Sequence, residues 1–301
     1  IKFEEIMQLL LKLNSQAVLV GYKNMKKNLF PILLILLTSL YSQNIYSAVV
    51  NETAADAVVC VASGAMLDDD TACKTTPSQY SIQIYEMGLC TAHPYGDKTE
   101  IEIDKSSCTV TYTDTAPTAV DVAADIGATL PLTGISTPPS EGTYTYAYLI
   151  LDQTFKVSGT FTNTSGGTTT TYYSAANGGV STTSSDFATT TDNLVNFGDT
   201  TCSSGFSGAA VTGGTMDAFI TDTAFSRSER NDVSSNQCDK RGRLIGVMIL
   251  DNPVVVTSET MAVIFNFIVT DFGVEFGDSN DSGIVPEDFG SGPFSGYFTV
   301  K

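Results

Sequence analysis

A chain of 301 residues with a formal charge of −18 is long enough for one large domain, or two small ones, with a substantial core. Acidity of this size repels nucleic acid and anionic lipid and favours cations. Its single histidine, His93, is all that Ser-His-Asp or Cys-His catalysis would have to work through, and Thr91-Ala92-His93-Pro94-Tyr95 reads as an ordinary loop.

The chain opens on Ile1, and Met25 reads as the better start. Residues 1–24 are then upstream translation, in which 6–20 would make an amphipathic helix. Lys26 and Lys27, the apolar run 29–40 and the polar small-residue stretch 41–48 have the shape of a secretory signal peptide over 25–47. The apolar run is short of the roughly 20 residues a transmembrane helix needs. Cleavage is expected after Ser47 or Ala48, and no Cys lies at the cut to carry a lipid. What is left, 48–301, holds ten basic and thirty-one acidic residues, a formal charge of −21. It reads as one secreted domain without a transmembrane span, destined for the extracellular space, cell surface or periplasm of a bacterium.

All six cysteines lie in that domain, and an even count behind a leader reads as a disulfide framework. Sequence neighbours most often meet in antiparallel sheets, so the expected pairs are Cys60 with Cys73, Cys90 with Cys108 and Cys202 with Cys238. Each loop so closed contributes about 3 to 4 kcal/mol on the chain-entropy model. Zinc would need C-x-x-C or repeated Cys/His pairs; the chain has no C-x-x-C and a single histidine.

Short alternating runs broken by Gly, Pro, Asn and Ser indicate an all-β chain, an antiparallel β-sandwich. Tyr80, Ile82 and Ile84 alternate. Ile101 and Ile103 alternate with Glu100, Glu102 and Asp104, and the return through Cys108, Val110 and Tyr112 makes the clearest hairpin. Tyr144, Tyr146, Tyr148 and Ile150 form a third face. The run 261–269 is apolar on both faces, as a doubly covered central strand is; Phe272, Val274 and Phe276 continue the sheet and the run 297–300 closes it. Ile150-Leu151-Asp152 and Ile249-Leu250-Asp251 begin two similar nine-residue stretches, each read as strand, tight turn, strand. They suggest two equivalent corners in opposite sheets, with Asp152 and Asp251 as turn formers.

Between them lies a Thr/Ser-rich insertion over about 158–240; in 158–191, 18 of 34 residues are Ser or Thr. Thr favours strands, so this stretch reads as a solvated, exposed hairpin or an adhesive surface. Arg227, Arg230, Lys240, Arg241 and Arg243 are expected to pair with carboxylates, a docking patch or a protease site at Lys240-Arg241 being the alternative.

No G-x-S-x-G, phosphate-binding Gly loop, G-x-G-x-x-G or H-E-x-x-H occurs, so no catalytic residue or organic cofactor is assigned. Asp281-Ser282-Gly283 spells the aspartic protease triplet but occurs once. A carboxylate-dependent hydrolase is a distant option. Asp278, Asn280 and Ser282, with Gly283 in the sixth position, match the first half of a calcium loop, where alternate oxygens converge on a hard cation. Position twelve is Phe289, so Glu287 or Asp288 would complete the ligand set. The triplet Asp68-Asp69-Asp70 reads as a solvated loop.

The segments Tyr80-Ser-Ile-Gln-Ile-Tyr-Glu-Met-Gly-Leu-Cys90, Gly142-Thr-Tyr-Thr-Tyr and Asn252-Pro-Val-Val-Val-Thr resemble those of uncharacterised secreted bacterial β-sandwich proteins. The G-T-Y and V-x-V-T strands are similar to those of small lipoprotein domains with a transthyretin-like or immunoglobulin-like sandwich, though the lipidation Cys of those domains has no counterpart here. The resemblance implies a fold and no activity. The expected role is a structural or adhesive surface protein, not an enzyme, with protein or glycan partners; a carbohydrate- or calcium-binding module is the alternative.

Overall fold

The computed structural model of the chain describes residues 47–51, 59–63, 72–96, 98, 100–124, 126–197, 202–228, 233–234, 237–277, 285–292 and 295–301. The strands in chain order are β1 Ser47–Asn51, β2 Ala72–Thr75, β3 Pro77–Ile82, β4 Ile84–Cys90, β5 Cys108–Thr113, β6 Val120–Asp121, β7 Thr129–Pro131 and β8 Ile135–Ser136. Next come β9 Gly142–Asp152, β10 Thr154–Ser165, β11 Thr168–Ser174, β12 Val180–Ser181, β13 Thr190–Asn193, β14 Gly205–Val211 and β15 Gly214–Thr221. The last are β16 Val233–Ser234, β17 Gln237–Cys238, β18 Arg243–Val256, β19 Val263–Ile268, β20 Val274–Gly277, β21 Asp288–Ser291 and β22 Ser295–Val300. Among the described residues the helices are two single 3₁₀ turns, and no helix is long and apolar enough to cross a membrane.

The largest sheet runs β14-β15-β18-β9-β4-β5-β8, and every neighbouring pair is antiparallel. A second runs β12-β11-β10-β3-β6 with β13 beside β10, also antiparallel. A third, β22-β19-β1-β7, contains one parallel pair, β1 with β19. A fourth is β2-β20-β21, and β16 with β17 makes a small ribbon.

Alternation along β9 and β18 explains how these sheets share their interior. Leu149, Leu151 and Leu244 join a core with Tyr80, Phe155, Val157, Phe267 and Phe276, which come from the other three large sheets. Tyr148, Ile150, Ile245 and Val247 point the opposite way, into a second core with Tyr95 and Phe219. Both faces of the largest sheet are therefore buried at its centre, as period-two alternation of apolar residues requires. Strand β19 is buried at all six positions, matching the doubly apolar run read from the sequence; the run's first residue, Met261, lies outside the strand and is 70% exposed. Disulfides join Cys60 to Cys73, Cys90 to Cys108 and Cys202 to Cys238.

The 158–240 stretch supplies strands to the two largest sheets and makes the β16–β17 ribbon. Strands β10 and β11 form a hairpin turned by Gly166 and Gly167, both at positive φ, the backbone a two-residue turn demands. On its exposed face Thr162 and Thr171, and Thr164 and Thr169, pair their hydroxyls at 2.9 Å each.

Two sequence expectations are corrected. The first I-L-D unit is a corner: β9 ends at Asp152, β10 begins at Thr154, and the chain passes from one sheet to another between them. Asp152 Oδ1 accepts the Thr154 N–H at 2.9 Å. The second is no corner, because β18 runs unbroken through Asp251 and only bulges, losing register with β9 between Ile249 and Val254. A bulge and a turn share the same local signature of an acceptor side chain after apolar residues; here β15 holds the strand straight by pairing up to Leu250. Nor do residues 100–104 pair with β5. Strand β4 takes that edge, and 101–102 lies instead along 226–227, with Arg227 N–H donating to the Ile101 carbonyl at 3.0 Å and a bridge from Glu102 to Ser226.

Asp152 also meets Arg243, its cross-strand partner, at 3.7 Å, with the guanidinium 3.6 Å above the Tyr85 ring. Asp152→Ala is therefore expected to cost about 1–2 kcal/mol in urea unfolding, a lost turn bond and a partly buried pair. Asp251→Ala should stay within about 0.5 kcal/mol, as exposed substitutions do; equal losses at the two positions would contradict the distinction between corner and bulge.

Candidate functional site

Two polar constellations stand out, and they differ in whether their groups are already committed. The first is centred on Asp217, a carboxylate fully buried in the apolar strand β15. Ser207 Oγ donates to its Oδ1 at 2.7 Å and the Gly208 N–H at 2.8 Å. Lys98 Nζ lies 3.0 Å from Oδ2 and His93 Nε2 3.2 Å from the same oxygen. The Tyr95 N–H donates to His93 Nδ1 at 3.1 Å, so the ring carries its proton on Nε2 and gives it to Asp217.

Burial acts to raise the Asp217 pKa, but the Ser207, Lys98 and Gly208 hydrogen bonds outweigh it and hold the carboxyl below its ordinary range. Burial lowers the His93 pKa, against the opposing pull of Asp217. The arrangement does not generate a nucleophile: Ser207 and His93 both bind the carboxylate, whereas a catalytic triad places the imidazole between the other two. It acts instead as a clamp, tying the loop closed by Cys90–Cys108 to strands β14 and β15.

Around it the basic residues meet partners that the sequence reading did not assign. Arg227 stacks over Phe219 at 4.4 Å and donates to the carbonyls of Lys98 and Glu100. Lys240 reaches the Ser226 hydroxyl. Arg243, on Asp152, is the carboxylate pairing foreseen, and Arg230 lies outside the described residues. On the same face Tyr148 OH donates to Glu86 at 2.6 Å, and Lys105 lies 2.7 Å from the same carboxylate oxygen. His93 is thus a buried, paired residue rather than a plain loop residue. The overlooked signal was Asp217 itself, a carboxylate inside Met216-Asp217-Ala218-Phe219-Ile220, which burial forces to find donors.

The second constellation is open. A cleft of about 400 Å³ is lined by Asp192, Glu275 and Asp288 together with Asn177, Gly178 and Phe289. Its walls come from β13, β20, β21 and the 3₁₀ turn Ala176–Gly178, held together by a Gly179–Asp288 bridge. Asn177 and Gly178 reach the cleft through positive φ. Asp192 Oδ2 accepts both the N–H and the hydroxyl of Ser291, at 2.9 and 2.6 Å, which fixes β13 to β21. Burial raises the pKa of Glu275; Lys74, its cross-strand neighbour, opposes this, and Asp192 adds to it. Carboxyl groups lining one cleft can offer oxygens to a hard cation or accept hydrogen bonds from a sugar hydroxyl.

The last two residues of the sequence-derived calcium loop, Asp288 and Phe289, line this cleft. The base of that loop is closed by the Gly277–Asp288 pair and by the Glu287 N–H donating to the Gly277 carbonyl at 2.8 Å. Asp278, Asn280 and Ser282 lie outside the described residues. Phe289, the twelfth position, is buried against Phe276, and of the two carboxylates before it Asp288 lines the cleft, while Glu287 is exposed. Asp192 and Glu275 were not foreseen, because they come from two distant segments and follow no local spacing. Among the described residues no cluster of three His, Cys, Asp or Glu side chains has metal-site geometry. Comparison with family models, with curated proteins and with solved structures finds no match for the chain.

The buried histidine makes the stability of the fold sensitive to pH. Unfolded, His93 protonates near pH 6.5; folded, it resists protonation, so its contribution is full above about pH 6.5 and is lost as pH falls towards its depressed folded value. Asp217 behaves likewise lower down, contributing above about pH 4 and losing that contribution as pH falls through its own lowered value. Urea midpoints between pH 8 and 3 are expected to fall in two stages, and His93→Gln should remove the first and keep the second. An unchanged midpoint between pH 7 and 5 in the parent protein would contradict the neutral imidazole.

Proposed function

We propose that this chain is a secreted structural or adhesive protein of the cell surface or extracellular space, built as a β-sandwich of immunoglobulin-like or transthyretin-like type. The observation that carries this reading is the disulfide set: all six cysteines are paired, and such bonds persist in oxidising compartments. The leader-like stretch 25–47 and the acidic composition agree with it. The Asp217 network is directed inward, whereas the Thr-lined hairpin presents its hydroxyls outward.

Expression with the native leader, followed by fractionation and surface biotinylation, should find the chain cleaved near Ser47 or Ala48 and exposed on the cell or shed. Full-length chain retained in the cytoplasm with reduced cysteines would overturn the reading.

The acidic cleft favours a second reading, a calcium- or glycan-binding module. Asp192, Glu275 and Asp288 would supply oxygens to a hard cation, with an affinity in the weak extracellular range of about 10⁻⁴ to 10⁻³ M. Under this reading about 5 mM calcium raises the melting temperature by several degrees, and Asp288→Asn removes the shift. The same melting temperature with calcium and with chelator would dismiss calcium, and a glycan array run without calcium then tests the cleft alone.

A further inference from the structure

Among the described residues Asp217 is the one ion-paired carboxylate that is fully buried; Glu86 and Asp152, the others, keep some contact with solvent. Its lysine reaches both oxygens of the group, with Lys98 Nζ 3.0 Å from Oδ2 and 3.2 Å from Oδ1. The backbone that places this amine is in the left-handed region, at φ 74°, which a residue with a Cβ adopts where its surroundings enforce it. Hydrogen bonds enforce it from both sides. The Lys98 N–H donates to the Tyr95 carbonyl at 2.8 Å, and the Lys98 carbonyl accepts from the Arg227 guanidinium at 2.8 Å.

The remaining donors treat the two carboxyl oxygens differently. Oδ1 accepts the Ser207 hydroxyl and the Gly208 N–H, at 2.7 and 2.8 Å, a pair of donors of the kind that holds charge on a carbonyl oxygen as its carbon becomes tetrahedral. Oδ2 accepts the His93 Nε2–H at 3.2 Å and is the oxygen nearer the amine. An ammonium and a carboxylate so placed contain the same atoms as an amide and one water. Forming the amide cancels both charges and so removes the cost of holding them in an apolar layer. Fixing the two groups within reach also makes the step intramolecular, which for well-aligned groups equals an effective concentration of about 10⁵ M or more.

We propose that Lys98 and Asp217 condense after folding into an amide that cross-links the 91–107 loop to β15. One ammonium proton passes from Nζ to Oδ2, leaving a neutral amine beside a neutral carboxyl group. Nζ then attacks Cγ, and an electron pair of the carbonyl moves onto Oδ1, where Ser207 and Gly208 hold it. As that pair returns, the Cγ–Oδ2 bond breaks, Oδ2 takes a second proton from Nζ, and water leaves. Both hydrogens of the water come from the ammonium group, so the step needs no activating group or outside acid. His93 keeps its proton and orients Oδ2, Ser207 remains a donor, and the lysine is the nucleophile. The ion pair is the form in which the chain folds, and the two-stage pH dependence described above belongs to it; the condensed chain keeps the histidine stage and loses the carboxylate stage. None of this depends on where the chain resides.

Mass spectrometry tests the cross-link directly. Purified, folded chain is incubated at neutral pH over days, and each time point is measured for intact mass after reduction of the disulfides and then mapped with trypsin. A growing fraction is expected to lose the mass of one water, to resist cleavage after Lys98, and to yield a branched peptide that joins the Lys98 and Asp217 segments. Lys98→Arg, which keeps the charge and the ion pair, should hold its full mass, and so should the parent chain kept in urea, where the two segments are apart. A folded parent that keeps its full mass and gives linear Lys98 peptides throughout would overturn the proposal. So would a loss of water shared by Lys98→Arg, because a backbone succinimide at Asp217 gives the same mass without a branch.

Discussion

Everything in this molecule depends on burying both faces of one antiparallel pair. Strands β9 and β18 run side by side from the Asp152–Arg243 pair to the Gly142–Val256 pair; near Asp152 their side chains alternate between two cores, and towards Gly142 Tyr144, Ala147, Val254 and Val256 join a third. A sheet with one wet face would need a single layer against it. Here one face is covered by the other sheets and the opposite face by the 91–107 loop and its neighbours, which explains why that loop carries so many bulky residues. Tyr95 is fully buried, and the Arg227 guanidinium lies over its ring. Close packing between the strands leaves no slack: a Cβ at Gly88 would fall 2.4 Å from a Tyr148 ring carbon, so the smallest residue faces the largest.

Covering a sheet with a loop brings backbone and charged groups into an apolar layer, and each must find a partner there. The network around Asp217 is that partner set. One carboxylate receives donors from two separate segments, His93 and Lys98 of the loop and the adjacent Ser207 and Gly208 of β14. Glu86 does the same for Tyr148 and Lys105. In a protein with so large an excess of acid, such sites use some of the few cations to hold the architecture together.

How much of this was legible in the sequence follows from what is local. The doubly apolar run around Phe265 announced β19, because burial on both faces erases alternation. The Thr-rich run around Thr164 and Thr169 announced a hairpin, since Thr suits a strand and Gly166-Gly167 suits its turn. Pairing was harder. Ile101 and Ile103 have the alternation of a strand, yet the partner they should have taken, β5, lies against β4, and no pattern within 100–104 records that competition. The two I-L-D units differ only in what flanks them in space. At the candidate site the spacing from Asp278 was visible in the sequence, whereas Asp192 and Glu275 are brought to the cleft with Asp288 by sheet order alone.

The loop between Cys90 and Cys108 has a consequence beyond packing. It is joined covalently at its base by the disulfide and bound at its far side to Asp217 through His93 and Lys98. It is therefore a closed ring fastened to the sheet, not a flap. A protease that cut the backbone once anywhere within it would open the ring and release no fragment, leaving the cover on the sheet in two pieces that are both still attached.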